Sequence, residues 1–240
     1  MQKIAQLSLS PWQQDEGECH MRVWDLPLRI FHWALMLSVI GAIGSSKAGV
    51  MWAHERFGLT VMGLIIFRLI WGFVGGYHAR FVNFVTGPRA VLAWLRSNGG
   101  QGSRQAGHSP LAAYSVLALL GIAGFMAGSG SVSNDGILFD GPMAHLVSME
   151  ASKQATSTHH FGQYLVFALV GLHVVAILFY KFVKRQGLTA AMVHGRTSDP
   201  ADRIAGVDGS ISIRHTFFGL GLMIVCVAIA QMLPLLRPVW

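Results

Sequence analysis

The sequence predicts an all-α integral membrane protein, and three observations carry that reading. Apolar residues make up 52% of the 240 residues and charged residues 12%, with a mean hydropathy of +0.48, which is too apolar for an ordinary soluble domain. Five apolar stretches can each cross a hydrocarbon core of about 30 Å, which needs about 20 helical residues. The basic residues lie between these stretches, as they do in polytopic proteins oriented by charge.

Taken in order, residues 1–22 read as a cytoplasmic N-terminal extension, because they lack the apolar core of a signal peptide. Cys19 and Cys226 are far apart, so no disulfide framework is implied, and Cys19-His20 lacks the preceding cysteine of a c-type haem attachment motif. The first span, Leu26–Gly44, starts with Asp25 as helix cap and Pro27 in the first turn. It carries Arg29 and, three residues on, His32 on nearly the same face. The second span, Met51–Phe73, carries His54 near its start and Arg68 fourteen residues later, on the same face and about 21 Å deeper. A charge at that depth needs a partner or must snorkel to the headgroups. After Gly87-Pro88, a short amphipathic segment containing Val91, Leu92, Trp94 and Leu95 suits the inner membrane surface.

The third span, Pro110–Gly128, is rich in glycine and alanine and carries no histidine, so it is expected to be a wall rather than a ligand donor. The fourth, Thr158–Phe182, carries His159, His160 and His173. The fifth, Thr216–Leu236, has neither charge nor histidine inside it and is expected to be a peripheral anchor or a surface for another subunit, in a homo- or hetero-oligomer.

The formal charge of +7 is better explained by orientation than by nucleic-acid binding. The 75–107 loop holds Arg80, Arg89, Arg96 and Arg104 with no acid, whereas the 129–157 loop holds Asp135, Asp140 and Glu150. This places the N-terminus inside and the C-terminus outside.

With that orientation the histidine depths can be compared. His159 and His173 are fourteen residues apart, hence about 21 Å along one helix and only about 40° apart around it, whereas His160 is about 140° from His173. His32 and His173 lie about 9 and 14 Å from the inner ends of their spans, and His54 and His159 each about 5 Å from the outer ends. The depths pair His32 with His173 and His54 with His159. A lone intramembrane histidine can instead be satisfied by a carbonyl, but a depth-matched quartet is harder to explain by packing. Two stacked pairs of imidazoles suit haem iron, with no open position left for oxygen chemistry. Zinc would want further ligands that neither level supplies. Arg29 and Arg68 are then candidates for pairing with haem propionates.

The motifs Trp24-Asp25-Leu26-Pro27…Arg29…His32-Trp33, His54-Glu55-Arg56-Phe57-Gly58, Arg68…Trp71-Gly72-Phe73, Arg80-Phe81…Phe84…Gly87-Pro88, Gly107-His108-Ser109-Pro110 and the His159…His173 helix occur in this order. Together they resemble the prokaryotic cytochrome b561 family, in the branch similar to the b-type cytochrome subunit of nickel-iron hydrogenases. The resemblance covers about Val23 to Arg196. It implies a four-helix transmembrane bundle binding two b haems, with the fifth helix peripheral to it, in a bacterial cytoplasmic membrane. It also implies electron exchange with membrane quinone on one side and with a periplasmic cytochrome c or an attached redox enzyme on the other. His108, Arg80 and His145 are kept as further cofactor-site candidates. Two other readings stay open: a self-contained superoxide:quinone or ferric reductase, and a non-redox metal or proton transporter that uses the membrane histidines.

Overall fold

The computed structural model describes residues 21–96, 110–137, 139–185, 187–197 and 210–238. His108 and nearly all of the N-terminal extension lie outside the described residues.

Each long helix begins where a local signal allows it. In α1 (Leu26–Lys47) the Asp25 carboxylate accepts the Leu28 N–H at 2.8 Å, and Pro27 stands where no intrahelical donor is needed. A tight turn with Gly49 at φ +72°, a conformation that favours glycine, leads into α2 (Met51–Val74). Short helices α3 (Phe81–Phe84) and α4 (Pro88–Arg96) follow, α4 covering the expected amphipathic segment. Next comes α5 (Pro110–Ser131).

The helix α6 spans Met149–Phe182 and starts well before the expected Thr158, because Ser148 caps it through the Ala151 N–H and the polar turns that follow stay helical beyond the apolar run. Past it, α7 (Leu188–His194) leads to β2 (Arg196–Thr197), which pairs antiparallel with β1 (Met21–Arg22). The last helix, α8 (Ile213–Met232), runs on into a 3-10 turn at Leu233–Leu236. Among the described residues, five helices are long and apolar enough to cross a membrane, and they cover the five expected spans, with ends that differ by a few residues apart from the early start of α6.

α1 packs on α2, α2 on α5, and α5 on α6, while among the described residues no comparable interface joins α6 to α1 or α2. The packed core sits on α2, where Leu64, Phe67 and Trp71 are fully buried and Phe67 stacks on Trp71 at 5.7 Å. The fifth helix is more than a peripheral anchor. α8 lies directly on α2, with a far face of exposed apolar side chains such as Phe217, Ile224 and Ile229. The approach is close because Gly63 has no side chain: a Cβ there would sit 2.6 Å from Val227 Cα and 2.8 Å from the Cys226 carbonyl.

That contact is with backbone, which a substitution cannot displace without moving a helix. Gly63→Ala is therefore expected to destabilise the protein by about 1–3 kcal/mol through overpacking. Gly221→Ala, whose Cβ would meet nothing within 4 Å, is expected to leave stability unchanged or slightly raised. Thermal melting of the two variants in detergent compares them directly.

Candidate functional site

A cavity of about 2470 Å³ runs between α1, α2, α5 and α6 and is closed at one end by α7. It exceeds by more than twofold the upper end of the range of about 300–1,000 Å³ usual for a pocket that holds one small ligand. His32, His54, His159 and His173 all line it, as do Arg29 and Arg68.

At one level His54 of α2 faces His159 of α6, with ring centroids 6.0 Å apart and ring planes at 84°. His54 Nδ1 is 2.8 Å from the Ala42 carbonyl. A carbonyl can only accept, so Nδ1 carries the proton and Nε2 keeps its lone pair. His159 Nδ1 lies 3.2 Å from Ser129 Oγ. The Ser129 hydroxyl donates to the Phe125 carbonyl at 2.7 Å, leaving its oxygen to accept from His159. Both rings are thus turned into the same tautomer by polar groups on the neighbouring helices α1 and α5. α5 is for this reason not just a wall: Ser129 orients His159, and Gly130 makes room for it, since a Cβ there would come within 2.9 Å of His159 Cε1.

At the other level His32 of α1 and His173 of α6 are close enough to interact electrostatically. His32 packs edge-on against Trp33 at 5.5 Å, and its Nδ1 is buried with no hydrogen-bond partner among the described residues. Arg68 is 3% exposed, so it does not snorkel; its guanidinium lies over the Phe81 ring at 4.6 Å and its Nη1 is buried without a hydrogen-bond partner. Arg29 gives Nη1 to the Val193 carbonyl of α7, but its Nε is likewise unmatched.

Asp25 sits beneath these arginines and ties α1 to α2. Burial pushes its carboxyl above the usual aspartate range. Hydrogen bonds from the Leu28 N–H, from Trp71 Nε1 at 3.2 Å and from the Gly76 N–H, together with the nearby Arg68 charge, pull it partly back.

The remaining candidates fall elsewhere. Arg80 is exposed and gives Nε to the Gly75 carbonyl at 2.9 Å. His145 is exposed in the 3-10 turn Ala144–Leu146. Neither lines the cavity, and His108 lies outside the described residues. His160 is exposed at the cavity rim, away from the facing rings.

The family model for prokaryotic cytochrome b561 matches residues 23–195. The chain belongs to the prokaryotic cytochrome b561 family. Among its relatives is a protein of Rhizobium leguminosarum bv. viciae named "Probable Ni/Fe-hydrogenase B-type cytochrome subunit", 25% identical over 72% of this chain and 87% of the relative. Proteins of the same name from Rhodobacter capsulatus and Azotobacter vinelandii are 24% and 25% identical, over 76% and 72% of this chain and 83% and 86% of theirs. No solved structure matches the chain.

The residues present fit the haem that the cytochrome b561 family name implies. Two imidazoles on opposite sides of one metal ion, each bound at about 2.0–2.1 Å as for zinc, have centroids about 6 Å apart, which is the His54–His159 separation. Gly58 lines the cavity with open space in front of it, room that a flat macrocycle needs. Unmatched guanidinium N–H groups suit carboxylates. Among the described residues no three His, Cys, Asp or Glu side chains cluster to hold an ion by themselves, so histidine pairs are the donor sets on offer.

Gly130→Val is expected to push the His159 ring aside by overpacking and so to lower the haem content per chain. Gly128→Val, which meets open space, is expected to leave the haem content unchanged. The haem-to-protein ratio of the purified variants checks both.

Proposed function

We propose that this cytochrome b561 family member is a dihaem membrane cytochrome. In this reading it passes electrons between membrane quinone and a periplasmic or membrane-attached redox partner. The observation that carries the reading is the facing pair His54 and His159, with a second pair, His32 and His173, further along the same cavity. Haem b, when bound, supplies one-electron cycling of its iron.

The chain's own residues do the rest. His54 and His159 would ligate one haem, and His32 and His173 the other. The Ala42 carbonyl and Ser129 hold the first two rings in position and make their Nε2 atoms better donors. Held by two histidines each, such haems would serve electron transfer rather than oxygen binding. Arg29 and Arg68 would offer their unmatched N–H groups to propionates at the His32/His173 level. The apolar walls keep water from the iron and so help to set the potential. His159 and His173 stand about 21 Å apart along α6, so the haems they would hold would be successive stations across the membrane.

Charge supports the orientation. The arginines of the segment after α2 belong on the cytoplasmic side and the acids of the segment before α6 on the periplasmic side. The haem held by His32 and His173 is then the inner one, in the cytoplasmic membrane of a bacterium. Residues 23–196 form the dihaem unit, flanked by the extensions 1–22 and 197–240. The relatives' printed name points to a hydrogenase-like enzyme as the attached partner.

Haem quantitation tests the pairing. The wild type is expected to hold two haems per chain, and His54→Ala and His173→Ala one each, with different components of the reduced spectrum lost. Two haems surviving either substitution would contradict the assignment. Reduction of the purified wild type by a quinol analogue is expected to reach both haems.

A further inference from the structure

Residues 213–236 lie beyond the family match, yet their far end is fastened to α2 beside His54. Gln231 Nε2 donates to the Arg56 carbonyl at 2.8 Å and to Thr60 Oγ1 at 2.9 Å, and Arg56 Nη1 returns a bond to the Gln231 carbonyl at 3.0 Å. After the 3-10 turn, Arg237 Nη2 donates to Glu55 Oε2 at 2.8 Å and to the Asp140 carbonyl at 2.7 Å. The two residues that follow His54 are thus both held by the C-terminal helix and its extension. Glu55 is 10% exposed and lines the cavity. A carboxylate so placed, at the edge of an apolar space, is costly without a counter-ion.

We propose that Arg237 is a positioning residue for the His54/His159 haem: it neutralises Glu55 and pins the first turn of α2, and so sets that haem's potential. The inference rests on the dihaem reading. It gives the fifth helix a role inside the chain, where the sequence suggested an anchor or a subunit contact. The sign follows from charge. Removing Arg237 leaves the Glu55 carboxylate, next in the chain to His54, uncompensated at the cavity wall, which favours the oxidised form and lowers the potential. Removing Glu55 leaves the guanidinium uncompensated and raises it. Removing both restores the balance. The haem at His32 and His173, about 21 Å further along α6, is screened from either change.

The test is a spectroscopic redox titration in a His32→Ala background, which leaves the His54/His159 haem alone. At a fixed ambient potential, Arg237→Gln is expected to raise the oxidised-to-reduced ratio about tenfold, a downward shift of about 59 mV for a one-electron couple. Glu55→Gln is expected to shift it upward, the double variant to return near the parent, and Arg237→Lys to stay near it. A purely structural role would not reverse sign between the two single variants. Should Arg237→Gln lose its haem, Glu55→Gln decides alone: an upward shift supports the proposal and an unchanged potential overturns it. Equal shifts of the other haem in a His54→Ala background would also overturn it. A parent protein without any b-type spectrum would instead contradict the dihaem reading on which the proposal stands.

Discussion

The fourteen-residue spacing of His159 and His173 on one rigid helix is the constraint on which the rest of the site depends. A regular α-helix returns nearly to the same face after that interval, so both rings point into one cavity at two depths. α6 must therefore run unbroken and stand apart from α1 and α2; among the described residues, only α5 packs firmly against it. The gap this leaves is the cavity, and His32 on α1 and His54 on α2 face α6 from its other side. A group bound between these histidines would complete an interface that the helices do not make by themselves. In a membrane, where apolar contacts between helices have no hydrophobic driving force of their own, such a group would add cohesion as well as chemistry.

Two polar knots hold the helices that oppose α6. Near the His32/His173 end, Asp25 caps α1, accepts from Trp71 of α2 and neighbours the Arg68 charge, so that one buried carboxyl serves a helix start, an indole and a guanidinium. Near the His54/His159 end, Glu55 and Arg56 bind Arg237 and Gln231. α8 closes over α2 between these knots, its Gly219 seated on the Trp71 ring and its Cys226–Val227 backbone on Gly63. Both ends of α2 are thereby fixed, and with them the height at which His54 enters the cavity.

Much of this was legible in the sequence, because membrane helices obey few rules and obey them strictly. The five spans follow from apolar length, the start of α1 from Asp25 and Pro27, and the facing of His54 toward His159 from helical depth. The early start of α6 was not legible, since residues 149–157 are polar and only the Ser148 cap marks the helix end. Nor was the part played by Ser129 and the Ala42 carbonyl: a hydroxyl that turns a histidine on another helix, or a backbone carbonyl that does so, leaves no pattern in a single chain. The roles of Gly63 and Gly130 were not legible either, because what a glycine admits depends on which helix lies opposite. Arg237 stood outside every motif because its partner is 182 positions away.

The central claim is that four histidines on three helices form two bis-imidazole haem sites. Low-temperature electron paramagnetic resonance of the oxidised protein tests it most directly, read together with its iron content. Two low-spin signals are expected, each integrating to about one iron per chain. A high-spin signal, a single low-spin centre, or folded protein without iron would contradict it.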